Sequence, residues 1–226
     1  MNKTNTENRY VEILSTGVKL EGILSIPEDP KGLVVFVHGS GSSRHSPRNQ
    51  YVAQMLQEGG LVTLLFDLLT AYEEEIDLRT RHLRFDIDLL ARRTAGVLQW
   101  LDVQPYADGL RKGLFGSSTG AAAALIAAAQ IPEKVDAVVS RGGRPDLAGP
   151  ALPKVDAPTL LIVGGNDEVV IELNEQALAQ MQPGAEKKLT IIPGASHLFE
   201  ESGTLEYAAR LAREWFQEHL SPVSVR

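Results

Sequence analysis

Cysteine is absent from this 226-residue chain. That excludes disulfides, a thiolate nucleophile and a thiolate metal site. An excess of basic residues is also missing: the net charge is −7, which argues against a nucleic-acid surface and leaves the substrate open. Long apolar runs are lacking, so no stretch approaches a membrane span. The opening residues MNKTNTENRYVEI hold no apolar signal core, and a cytoplasmic location is the expectation. Repeats and low-complexity tracts do not occur. What remains is ordinary for a soluble globular protein, with 43% hydrophobic and 23% charged residues. The length suits one α/β domain over residues 1–226, with an ample core.

The most informative stretch runs from Leu110 to Gln130. A short apolar segment meets Gly116-Ser117-Ser118-Thr119-Gly120, and an alanine-rich helical pattern follows at once. Strand, abrupt turn and helix with Gly-x-Ser-x-Gly at the turn predict a nucleophile elbow. The tight turn would hold the Ser118 hydroxyl in the open, and glycines two residues either side would let the helix approach the sheet.

Elsewhere the chain alternates strand and helix patterns. Tyr10–Leu14 and Val18–Ile26 read as an antiparallel hairpin around Ser15-Thr16-Gly17. A continuous apolar run at 32–37 reads as a strand buried on both faces, 61–66 as another buried strand, and 135–140, 159–163 and 188–192 as further strands of a mainly parallel sheet. Helical spacing spans 47–58, 86–100, 170–181 and 205–220. The segment from Leu68 to Arg84 reads as charged and irregular, its Glu73-Glu74-Glu75 lining a pocket or, on balance, forming a solvated loop. The predicted fold is α/β: a mainly parallel sheet with helices on both faces, an antiparallel hairpin at one edge and no lid. Function in such sheets collects at the carboxyl ends of the strands, where every unusual loop of this chain falls.

A serine nucleophile needs a base, an orienting acid and oxyanion donors. His197, in Pro193-Gly194-Ala195-Ser196-His197 after the last strand, is the expected base. His38 precedes a glycine-serine loop and is expected to hold its shape, while His45, His82 and His219 suit exposed or helix-end positions. Asp167, ending Gly164-Gly165-Asn166-Asp167, is the expected acid and also a candidate helix cap, with Glu168 as its rival. The oxyanion donors are expected to be the amides of Thr119 and of Ser40, with Gly39 or Gly41 as alternatives to Ser40. A phosphate cradle at 38–43 is disfavoured, because the loop lacks Gly-Lys-Ser/Thr and the dinucleotide glycine spacing. Metal ligation by the glutamates lacks a supporting histidine pair, and no metal or cofactor is expected.

With the His38-Gly39 loop, the elbow at Ser118, the acid at Asp167 and the base at His197 in this order, the chain resembles the α/β-hydrolases. It is nearest to the small, lidless dienelactone hydrolase-like group, over nearly its whole length. Dienelactone hydrolases proper carry a cysteine nucleophile; Ser118 stands here instead. The resemblance therefore implies a serine esterase that cleaves small carboxylic esters or lactones through an acyl-enzyme. Acyl transfer, thioester cleavage and attack on phosphotriesters are alternatives at the same site, and a non-catalytic binding protein is another class. The short connection 141–158 leaves no room for a helical lid, so a small soluble substrate is expected and no nucleic-acid or membrane partner. Arg141, leaving a strand end beside the elbow, and Arg44, after the oxyanion loop, are candidates to contact a carboxylate or other polar group on that substrate. Solvent-exposed or structural arginines are the alternative for each.

Overall fold

In the computed structural model, which describes residues 6–221, the strands join into one eight-stranded sheet. Residues 1–5, part of the stretch read for a signal core, lie outside the described residues. Strands β1 (Thr6–Ser15) and β2 (Val18–Pro27) form the antiparallel hairpin at one edge. Its two-residue turn works because Thr16 and Gly17 both take positive φ, 49° and 80°, the twist that matches paired strands. β3 (Gly32–Val37), β4 (Leu61–Phe66), β5 (Lys112–Ser117), β6 (Ala137–Arg141), β7 (Thr159–Gly164) and β8 (Lys187–Ile192) are parallel to one another. β2 meets β4 antiparallel.

Strand order is β1-β2-β4-β3-β5-β6-β7-β8. The excursion of β4 to the far side of β3 leaves β3 beside β5, so the loop after β3 abuts the turn after β5. That juxtaposition is a property of topology, not of either loop.

The uniformly apolar strands are buried because helices cover both faces. Helices α1 (Pro47–Gln57) and α6 (Thr204–Leu220) close one core layer around Phe36, Phe115, Ile162 and Phe216. Helices α3 (Ile87–Leu101), α4 (Thr119–Gln130) and α5 (Glu168–Gln180) close the other around Leu33, Val35, Leu98 and Leu125. α4 touches core on nearly every side, which explains why it is alanine-rich rather than amphipathic.

The segment 68–84 departs from expectation: Ala71–Thr80 is a helix, α2. Its signal was the capping box Thr70-x-x-Glu73, in which Thr70 Oγ1 accepts from the Glu73 amide at 3.2 Å and the Glu73 carboxylate accepts from the Thr70 amide at 2.8 Å. With almost no apolar stripe to mark it, α2 is held by polar anchors. Asp77, fully buried, accepts from the Leu83 amide at 2.7 Å and from Arg84 Nε at 2.5 Å. Glu73 is likewise not a free loop charge, for it grips the buried Arg93 of α3 at 2.5 and 2.7 Å. Burial alone would raise the Glu73 pKa; the Arg93 and Thr70 bonds outweigh it and hold the carboxyl below its ordinary value.

The connection 142–158 carries short 3₁₀ turns over Pro145–Lys154 that pack Ala148 and Leu152 into the core. It forms no lid. Among the described residues, no helix is long and apolar enough to cross a membrane.

Candidate active site

The turn between β5 and α4 is as tight as the glycine spacing requires. A Cβ on Gly116 would stand 2.4 Å from Ala121 Cα, and one on Gly120 only 2.2 Å from the Val37 carbonyl oxygen. Both separations are too short for any side chain, so Gly116 and Gly120 are what let α4 sit against β3 and β5. Between them Ser118 adopts φ 50°, ψ −125°, a strained conformation for a residue with a Cβ. Neighbours hold the strain in place: the Ser118 carbonyl accepts from the Ala121 and Arg144 amides at 3.1 and 3.0 Å.

His197 follows β8, in a loop fastened at several points. The Ala195 carbonyl accepts from the Asn166 amide at 2.9 Å, the Gly194 carbonyl from Asn166 Nδ2 at 2.9 Å, and Glu201 accepts from the Ser196 amide at 2.9 Å. Asn166 thus ties the turn after β7 to the histidine loop, and Gly164 lets the two backbones meet, since its Cβ would lie 2.4 Å from the Ala195 oxygen. Within that brace the Asp167 carboxylate accepts from His197 Nδ1 at 2.6 Å. A carboxylate only accepts, so the imidazole proton sits on Nδ1 and Nε2 is left with a free lone pair. Asp167 makes no side-chain hydrogen bond to the start of α5. Its carboxylate is committed to His197 rather than to capping, a correction to the dual role expected of it. Glu168 is simply the first residue of α5.

Ser118 and His197 line one cavity of about 1040 Å³, together with the 38–48 loop, Leu69 to Tyr72, Arg141 and Gly142. Glu74 lines the wall as well, so for that residue the less favoured reading of Glu73-Glu74-Glu75, pocket lining, is the one the structure supports, although 68–84 was read as irregular.

His38 is buried and holds the 38–43 loop as anticipated. Its Nδ1 donates to the Gly39 carbonyl at 2.9 Å, and its Nε2 accepts from the Leu68 amide at 3.1 Å. Burial pushes its pKa below the ordinary histidine value, against the pull of the Gly39 carbonyl and of Asp67. Gly39 lies close under the elbow, where a Cβ would come within 3.0 Å of both the Ser117 oxygen and Ser118 Cβ. The Ser40 amide points at the elbow but has a partner there, Thr119 Oγ1, at 2.9 Å. The Thr119 hydroxyl is therefore a site group that sequence reasoning passed over.

The two arginines separate. Arg44 is neutralised: its guanidinium pairs with Asp67 and, at 2.5 Å, with Glu21, and its amide donates to Asp67 at 2.7 Å. Arg141, on the last residue of β6, is buried, and its Nη2 makes one long bond of 3.3 Å to Asn49 Oδ1. Burial, and behind it the nearby Arg48, pull its pKa down to about 10. Among the described residues, no three His, Asp or Glu side chains gather as metal ligands.

Comparison with known proteins agrees with this architecture. The model of the dienelactone hydrolase family matches residues 20–222. A crystal structure of dienelactone hydrolase from Anabaena variabilis is 60% identical, covers 95% of this chain and 99% of its own, and superposes with a TM-score of 0.93. A Mycobacterium tuberculosis protein, provisionally named a phosphoribosyl transferase, is 58% identical over 210 residues, which are 93% of this chain and 46% of that protein. This chain therefore spans about half the length of the curated relatives it matches. A dienelactone hydrolase-like promiscuous phosphotriesterase from metagenomic libraries, 17% identical, covers 96% of this chain and 99% of its own with a TM-score of 0.74, a likeness of fold alone. With the α/β-hydrolase sheet and the family match across residues 20–222, this chain belongs to the dienelactone hydrolase family.

Proposed function

We propose that this chain is a serine hydrolase that cleaves small carboxylic esters or lactones. One observation carries the reading: a 2.6 Å Asp167–His197 bond leaves Nε2 basic in the same cavity as a serine held at φ 50°, ψ −125°. Ser118 Oγ attacks the acyl carbon as His197 Nε2 takes its proton. The imidazolium then returns that proton to the leaving alkoxide, and water repeats the sequence to free the acid. Asp167 keeps the imidazole in the productive tautomer and stabilises its charged form.

The oxyanion would fall to the Thr119 amide, at the first turn of α4, and to the Ser40 amide. In the resting site the Thr119 hydroxyl accepts from Ser40. It keeps that N–H aimed at the elbow until a carbonyl oxygen replaces it. Loss of one donor should cost on the order of 100-fold in rate. No step calls for a metal or an organic cofactor.

The reading concerns only the part that this chain shares with the longer mycobacterial protein. A fluorophosphonate tests it directly: intact mass should show one adduct, absent from Ser118→Ala. Folded protein that gains no adduct would sink the nucleophile. Nitrophenyl esters, lactones, thioesters and phosphotriesters assayed side by side then rank the acyl-ester reading against its rivals.

A further inference from the structure

Both peptide groups of Ser118 are tied to the segment 141–144. The Ser118 amide donates to the Arg141 carbonyl at 3.4 Å, and the Ser118 carbonyl accepts from the Arg144 amide at 3.0 Å. A residue at φ 50°, ψ −125° persists only where its surroundings over-determine it. The strain at Ser118 is therefore only as secure as the turn that leaves β6. That turn is itself held at two points. The Gly142 amide donates to the Ile162 carbonyl of β7 at 2.7 Å. The Gly143 carbonyl accepts from Asn174 Nδ2, on α5, at 3.0 Å. Gly143 has no room for a side chain: a Cβ there would stand 1.9 Å from Ser140 Oγ and 2.6 Å from Ala121 Cβ. It is pressed against Ala121 and precedes Arg144, the two residues whose amides serve the Ser118 carbonyl.

Asn174 is an odd residue for its place. It is fully buried in a helix, and asparagine is a poor helix former. Nδ2 carries two protons, one given to Gly143 and one to the Val170 carbonyl at 2.7 Å, which fixes the orientation of the amide. Oδ1 is shielded from solvent with no partner among the described residues. A leucine of similar size would bury no unmet acceptor and would suit the helix better. What leucine lacks is a donor for Gly143. Helix α5 begins directly after Asp167. One rigid element thus carries the acid at its start and, about two turns along, the brace of the 141–144 turn.

We propose that Asn174 is a positioning residue for the reaction at Ser118: through Gly143 it fixes the 141–144 turn, and the turn keeps the serine backbone strained. The proposal rests on the hydrolase reading and adds to it a residue that lines no part of the cavity. Without the Asn174 donor, the Gly143 carbonyl is buried and unmet, and the turn shifts to find another partner. The Arg144 amide then leaves the Ser118 carbonyl, and the serine relaxes towards an ordinary negative φ. A nucleophile displaced by about 1 Å loses up to about 100-fold in rate.

Hydrogen exchange and labelling test the two halves of this apart. Asn174→Leu removes the donor at nearly constant volume. Asn174→Ser keeps a hydroxyl for the Val170 carbonyl but is too short to reach Gly143, and it carries the comparison if the leucine variant does not fold. Thr94→Val is the control: Thr94 is equally buried, on α3, and its hydroxyl makes the same kind of bond one turn back, to the Leu90 carbonyl at 2.9 Å. Exchange read by mass spectrometry should quicken over 118–121 and 142–147 in both Asn174 variants and not in Thr94→Val. In protein that circular dichroism shows to be folded, fluorophosphonate labelling of Ser118 and kcat for a nitrophenyl ester should fall about ten-fold or more, with KM within about two-fold of the parent's. Unchanged exchange in the folded Asn174 variants overturns the brace. Quickened exchange with labelling at the parent's rate overturns the positioning role, as does an equal loss of labelling in Thr94→Val. Quickened exchange in the variants of a parent that itself gains no adduct retains the brace and overturns the hydrolase reading.

Discussion

Glu73 offers the sharpest test of how α2 is attached. Arg93 Nη1 donates to the Leu68 carbonyl at 2.6 Å and to Glu73 at 2.7 Å, while Nη2 meets the other Glu73 oxygen at 2.5 Å. The Arg93 side chain is 3% exposed, so Glu73→Ala leaves a charge in the interior with one carbonyl for company. Breaking a buried pair in this way costs about 3–5 kcal/mol. For a chain of this size about 2–4 °C accompanies each kcal/mol, so the midpoint should fall by roughly 6–20 °C. Glu75→Ala is the control. Its contact with Arg79 spans 3.9 Å between side chains more than 70% exposed and should contribute no more than about 1 kcal/mol. Thermal unfolding followed by circular dichroism at fixed salt compares the two. Equal midpoints would refute the reasoning. The same bond sets a pH dependence. Because the folded Glu73 carboxyl titrates below its ordinary 4.5, its contribution is complete above that value and disappears as pH falls through the folded pKa. The extra loss of the Ala variant should therefore shrink in acid.

Gly164→Ala should push the turn after β7 away from the histidine loop, because the added methyl would meet the Ala195 backbone oxygen at 2.4 Å. The expected cost is about 1–3 kcal/mol, with slower fluorophosphonate labelling as Asp167 and His197 shift. Gly184→Ala, which has open space and no positive φ, should be neutral or slightly stabilising when the two variants are compared by urea titration; similar losses in both would exclude the close-approach argument. His38 is buried as the neutral imidazole and its pKa is depressed. Its contribution should be complete above its ordinary 6.5 and decline as pH drops below that. A urea midpoint that is flat between pH 7.5 and 5.5 in the parent would rule this out. His38→Asn should lose part of that slope.

Much of the candidate site was legible because it is written in short, local chemistry. Gly116 and Gly120 announce close backbone approach by their spacing. Val34 to Val37 and Leu160 to Val163 announce strands by unbroken apolarity, and the loops after those strands hold the polar residues that a sheet end exposes. Helix α2 escaped because periodicity is a signal of burial against a core, and α2 is held instead by Glu73, Asp77 and its cap. A Thr-x-x-Glu pair was the one local sign of it. The role of Asp167 as a cap was also misjudged. A turn aspartate next to a helix has two possible partners, and only the position of His197, thirty residues on, decides between them.

The sequence by itself determined the alternation of strand and helix and the tight strand–turn–helix around Ser118, since each rests on residues near one another in the chain. Tertiary structure alone decided which charges are free. Arg44 and Arg141 look alike as residues at strand ends. Asp67 and Glu21 converge on the first because β2, β4 and the 38–46 loop are neighbours in the sheet order. The second is enclosed by α1 and the loop of Phe199, with no carboxylate partner among the described residues. Side-chain compensation is a long-range property: it depends on which elements the sheet brings together, and no local pattern records that.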